Sequence, residues 1–226
     1  MIPRRIPYWL ALCLVFFLAA QVLLAQESFE LHLPPQLLKG AEAKYGPDAS
    51  KRLRAWAKLI ADNRKKPEME KLKLVNEFFN QVNFVSDQEH WGVKDYWATP
   101  VEMLASNGGD CEDYSIAKYF TLLALGFNMD KLRITYVKAV SRPPNDQAHM
   151  VLTYYPQPDA MPFVLDNLDG EIKPADERGD LIPVYSFNGD GLWLAKERSS
   201  GRSAGSSSRI SLWTEMNARM GKEFSN

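Results

Sequence analysis

The sequence predicts an α+β fold with helices first and strands second. Three observations predict it. Apolar residues recur at three- and four-residue steps up to about position 125. From Leu132 onward they alternate in steps of two. Gly, Pro and Asn clusters punctuate both halves at the intervals that separate elements. Runs of helix followed by runs of strand imply N-terminal helices packed on a C-terminal antiparallel sheet.

Residues 26–47 form a polar lead-in containing Pro34-Pro35. Ala49 to Asn63 reads as the first helix, with Leu53, Trp56, Leu59 and Ile60 on one face. Pro67 suits the first position of a second helix, whose apolar stripe is Met69, Leu72, Val75, Phe79 and Val82; proline lacks only an N–H that the first turn leaves unpaired anyway. Residues 83–100 read as a loop rich in aromatics and acids. Thr99, Pro100 and Glu102 have capping-box spacing for a short helix. Asn107-Gly108-Gly109 is a turn, and Asp110 to Leu125 is the third long helix, ended by Gly126. Strands are expected over 132–140, 148–155, 162–168, 183–187 and 192–194, with a polar loop over 141–147. The Ser/Gly/Arg-rich stretch 198–208 is expected to be loose, with a peripheral helix over 210–224.

The ends bound the compartment. Residues 1–25 read as a secretory signal: Arg4 and Arg5, an apolar run from Ile6 to Leu24, and Ala25 as the small residue before a cut. A retained anchor is the alternative, because the apolar run is nearly long enough to cross a bilayer. Residues 26–197 then form one domain and 198–226 a flexible tail. The formal charge of −1 gives no general nucleic-acid signal.

Of the two cysteines, Cys13 lies in the leader, so the exported chain keeps only Cys111. Export permits disulfides, so a single remaining thiol suggests chemistry. Cys111 follows Gly108-Gly109-Asp110 at a predicted helix start, where free N–H groups and the helix dipole favour thiolate. Among the histidines, His149 has the best setting, near the start of a strand; His32 falls in the lead-in and His90 in the aromatic loop. If Pro156 to Asp159 make a four-residue turn closed by Tyr155 and Ala160, His149 lies directly opposite Asp166, on one sheet face. Nucleophile, base and orienting carboxylate would then be complete. Plainer readings stay open: Cys111 as a small buried hydrophobe, His149 as a satisfied core group, Asp166 as a turn residue. One cysteine and one usable histidine fall short of a zinc site.

Asp110, Glu112 and Asp113 suit a helix start but oppose a neighbouring thiolate. A hard cation such as Ca²⁺ resolves the conflict, with Asp110 and Glu112 as ligands and Asp95 as a third. The alternative is a solvated acidic helix start.

Together, Asn83-Phe84, the run from Trp91 to Pro100, Gly109 to Tyr114, Ala148 to Leu152, Leu165-Asp166-Asn167 and Val184 to Asn188 resemble the bacterial transglutaminase-like cysteine proteinases over roughly residues 45–195. The resemblance implies a papain/transglutaminase-like fold, a Cys111-His149-Asp166 triad, and calcium held by Asp110 and Glu112; Asp95 is an addition from its position alone. It further implies a periplasmic endopeptidase that cleaves a large surface adhesin near paired alanines, freeing a biofilm anchor. An inner-membrane cyclic-di-GMP receptor would sequester the enzyme. A small-residue cleavage site suits a narrow groove, with Trp91 and Trp97 either as its walls or as core. Two other functions share these residues: an amide transferase using the same triad, and a non-catalytic binding module.

Overall fold

Proline and glycine set the helix boundaries in the N-terminal half. Helix α1 (Pro35–Tyr45) starts on its own Pro35, and Gly46 ends it at φ 85°. Helix α2 (Pro47–Asn63) begins on Pro47 and buries Ala49, Leu53, Trp56 and Ile60. Helix α3 (Glu68–Phe79) buries Leu72, Val75 and Phe79, with Pro67 as its cap rather than its first residue. The computed structural model describes residues 31–140, 147–194 and 204–225. The expected leader, residues 141–146 of the expected loop 141–147 and residues 198–203 of the expected loose stretch lie outside them. No helix of the described residues is long and apolar enough to cross a membrane.

The lead-in therefore contains a helix that its polar composition hid. The aromatic loop also holds more order than expected. Strand β1 (Asn83–Phe84) pairs in parallel with β2 (Gly108–Gly109), and a short helix α4 (Asp87–His90) lies between them. Helix α5 (Pro100–Ser106) has the expected capping box: Glu102 N–H donates to Thr99 Oγ1 at 3.0 Å, and Thr99 N–H donates to Glu102 Oε2 at 2.8 Å.

Helix α6 (Cys111–Ala124) is the centre of the molecule. Its residues Ile116, Ala117, Tyr119 and Leu122 belong to the main core, with Leu53, Trp56, Phe79, Leu104, Leu152 and Phe187. Trp56 Nε1 donates to Thr121 Oγ1 at 2.8 Å, which satisfies the polar edge of a buried indole.

A six-stranded sheet follows: β3 (Leu132–Ala139), β4 (Gln147–Tyr154), β5 (Phe163–Leu165), β6 (Lys173–Pro174), β7 (Leu181–Phe187) and β8 (Leu192–Leu194). Its order is β6-β5-β4-β3-β7-β8, every neighbouring pair antiparallel. A bulge puts Val184 out of register, because Tyr136 pairs with Tyr185 and Val137 with Pro183; proline cannot donate to a ladder and is tolerated at such an irregularity.

One expectation needs correction here. The β4–β5 hairpin does not close on Tyr155 and Ala160. Tyr154 pairs with Phe163, so the ladder is displaced by two residues and β5 is shorter than 162–168. Pro162 has no N–H, and its carbonyl instead accepts from Ala175 N. The helix expected over 210–224 is present, and it is docked on the core rather than peripheral. Helix α7 (Ser211–Glu223) buries Trp213 and Met216. Trp213 stacks on Phe120 and meets Tyr119 and Phe187 edge-on. Ser207 Oγ donates to Gly189 O at 3.1 Å. Trp213, Met216 and Met220 recur at helical spacing, and that stripe outweighs the loose composition before it.

Candidate active site

Cys111 is the first residue of α6, and the turn before it is held by contacts only glycine allows. A Cβ on Gly108 would stand 2.8 Å from His90 Cε1, and one on Gly109 2.7 Å from Asp113 Oδ2. His90 is thus a support, its Nε2 bonded to Ser106 Oγ at 2.8 Å, and His32 is exposed before α1. Asp113, fully buried, accepts from Ala98 N at 2.7 Å and from Asp110 N at 3.2 Å, so it fastens the aromatic loop to the helix start.

His149 and Asp166 meet as the spacing demanded, though not directly across a rung. The displacement of two residues keeps both on one face and makes them diagonal neighbours, whereas a shift of one would have parted them. Their Nε2···Oδ1 distance is 2.8 Å, and both groups are buried. Asp166 Oδ1 also accepts from Leu168 N at 3.0 Å, and Oδ2 from Arg178 Nη2 at 2.8 Å. Burial opposes ionisation of Asp166, but the bonds from His149, Leu168 and Arg178 outweigh it and hold the carboxyl down at about 2.

The thiol side is electrostatically opposite. Cys111 Sγ donates to Glu112 Oε2 at 3.1 Å, and Met150 N–H, next to His149, is its favourable neighbour. Burial, then the Glu112 and Asp110 carboxyls, push the thiol well up, more than Met150 offsets. Burial and Glu112 push Asp110 up to about 8. Burial raises Asp87 to about 6 and lifts Glu112 and Asp113 as well.

The acids form a candidate cation site. Asp87, Asp95 and Glu112 offer oxygens within 4.8 Å of one another, and so do Asp87, Asp110 and Asp113. Asp87 Oδ1 and Asp110 Oδ1 are buried with no hydrogen-bond partner. Buried orphan oxygens in an all-carboxylate cluster fit a hard divalent ion. All three acids singled out in the sequence therefore fall in one place, and Asp87 joins them unforeseen.

A sequence model described as bacterial transglutaminase-like cysteine proteinase BTLCP matches residues 52–186. The chain belongs to the bacterial transglutaminase-like cysteine proteinases. Its α+β fold is that of the family. Among solved structures, Legionella pneumophila LapG is 45% identical, covering 82% of this chain and 96% of that one, with a TM-score of 0.70. LapG of the same organism in EGTA-treated form gives 0.72 and in calcium-bound form 0.69, both also at 45% identity over 82% of this chain. No curated protein matches.

Several site residues left no signal in the sequence reading. Asp87 looked like one more loop acid. Arg178 and Asp180 sit in a charged turn with no periodicity. Lys118 lies inside α6, fully buried; burial lowers it to about 7 against the pull of Asp166. Trp97 resolves as core, 5% exposed and stacked on Phe187. Trp91 packs partly buried between His90 and Tyr96.

Proposed function

We propose that this family member is a calcium-dependent endopeptidase with Cys111 as nucleophile, His149 as acid and base, and Asp166 as the group that orients the imidazole. The observation that carries the reading is the juxtaposition of a complete His149–Asp166 pair with a thiol hemmed in by acids whose buried oxygens lack partners.

Nε2 of His149 is committed to Asp166, so Nδ1 is the ring nitrogen left to exchange a proton with the thiol. Cys111 thiolate attacks the scissile carbonyl carbon, and the N–H groups at the start of α6 are placed to bind the oxyanion. His149 imidazolium protonates the leaving amine. The ring then takes a proton from water, which displaces the thiol from the thioester. Asp87, Asp95, Asp110 and Glu112 would hold Ca²⁺, which supplies the positive charge that favours thiolate over a thiol bonded to Glu112. The calcium-bound and EGTA-treated forms of Legionella LapG, 45% identical, support calcium as the ion.

The proposed substrate is the N-terminal region of a large surface adhesin, cut near paired alanines, with release of the adhesin and biofilm dispersal as the consequence. The proposed regulator is an inner-membrane cyclic-di-GMP receptor that sequesters the enzyme. The leader at residues 1–25 supports a periplasmic site of action.

The test is incubation of wild type and Cys111→Ala with an adhesin N-terminal region, with calcium and with chelator. Cleavage by wild type in calcium alone is the expected result. Crosslinked product without chain cleavage would replace the proteinase reading with amide transfer. Undiminished cleavage by Cys111→Ala would remove the nucleophile.

A further inference from the structure

We propose that Arg178, braced by Asp180, is a positioning residue that fixes the Asp166 carboxylate against His149. The inference rests on the proteinase reading above and deepens it by adding two residues behind the triad.

Asp166 stands one residue past the end of β5, where no ladder partner orients it. Its side chain is therefore aimed by its own contacts. Oδ1 takes the bonds from His149 Nε2 and Leu168 N. Oδ2 has Arg178 Nη2 at 2.8 Å. Arg178 is itself clamped: Nε reaches Asp180 Oδ1 at 2.9 Å and Nη2 reaches Asp180 Oδ2 at 2.8 Å. The guanidinium is only 5% exposed, whereas Asp180 is partly open to solvent. A planar fork can serve two carboxylates in fixed directions, which an ammonium cannot. Asn80 Nδ2 holds the Asp166 carbonyl at 2.9 Å, and Lys118 faces Asp166 from α6. The charges form a row: imidazole, Asp166, Arg178, Asp180. The order of that row predicts opposite effects from its two far members.

Removing the Arg178 charge leaves Asp166 and Asp180 less compensated, which favours imidazolium. Removing the Asp180 charge leaves Arg178 less neutralised, which disfavours imidazolium. The experiment is an NMR titration of the His149 ring in wild type, Arg178→Gln, Arg178→Lys and Asp180→Asn, with kcat and KM measured per active thiol. The expected result is a titration midpoint moved up in Arg178→Gln and down in Asp180→Asn. Turnover should fall at least tenfold in Arg178→Gln, with KM within about twofold, and recover in part in Arg178→Lys. Unchanged midpoints in both variants would overturn the inference, as would unchanged turnover in both. Asp180→Asn carries the test alone if Arg178→Gln does not fold, because its side chain is partly exposed. The ring titration needs no substrate, so it answers even where no adhesin is cut. Failure of wild type to cleave would count against the proposed function and not against this pairing.

Discussion

The two halves of the site solve the problem of buried charge in opposite ways. Around His149, each carboxylate has its counterpart: Asp166 meets His149 and Arg178, and Arg178 meets Asp180. Around Cys111, carboxylates meet carboxylates, and buried oxygens of Asp87 and Asp110 meet nothing. The charges of the first half are paired within the chain, although Arg178 Nη1 is buried with no hydrogen-bond partner. The second half leaves buried carboxylate oxygens that a hard cation would satisfy.

The largest expected effect breaks the comparison at its centre. Cys111→Ala should lower cleavage by roughly 10³-fold or more, measured as kcat/KM on an adhesin fragment, while leaving the His149–Asp166 pair in place. Next, Asp87→Asn should weaken calcium binding by about 10- to 100-fold in calorimetry. It should leave the ring titration of His149 near wild type, because Asp87 belongs to the other half. Equal damage to both halves would show that they are not separate.

Stability should also distinguish them, and the signs are opposite. Asp166 is held at about 2, below its unfolded value, so it stabilises above pH ~4 and loses that contribution as pH falls toward 2, about 2–3 kcal/mol at most. Asp87 and Asp110 are raised to about 6 and about 8. In chelator they should therefore cost stability as pH climbs from ~4 to 8, and calcium should remove that slope. Thermal melts across pH, with and without calcium, give both arms. The smallest effect concerns the brace from the C-terminal helix. Arg219 donates to Trp97 O and lies 4.3 Å over the Tyr96 ring, beside the acid-bearing loop. Arg219→Ala should cost about 1–2 kcal/mol in a denaturant melt and, of the two halves of the site, disturb only calcium binding.

Legibility followed the range of the interaction. The helix-start cysteine, the capping box at Thr99 and the strands of the second half were readable because dipoles, caps and pleats act within a few residues. The pairing of His149 with Asp166 was readable only because a two-residue error in the hairpin preserves the face; the register itself was misread at Pro162. The helix at 211–223 was readable but its docking on Phe120 and Phe187 was not, and α1 was hidden behind a polar lead-in. Arg178 and Asp180 lie in a turn where local pattern carries no information about what a long side chain will reach.

By itself, then, the sequence determined that helices precede strands, the lone thiol at a helix start and the surplus of acids beside it, since each depends on neighbours along the chain. Only the tertiary structure decided that Asp87 completes the acid cluster, that Arg178 closes the charge row behind Asp166, and that Trp97 and Trp213 are core. Those are contacts between segments far apart in the chain. Burial, which sets the strength and sign of each charge, exists only once those segments have packed.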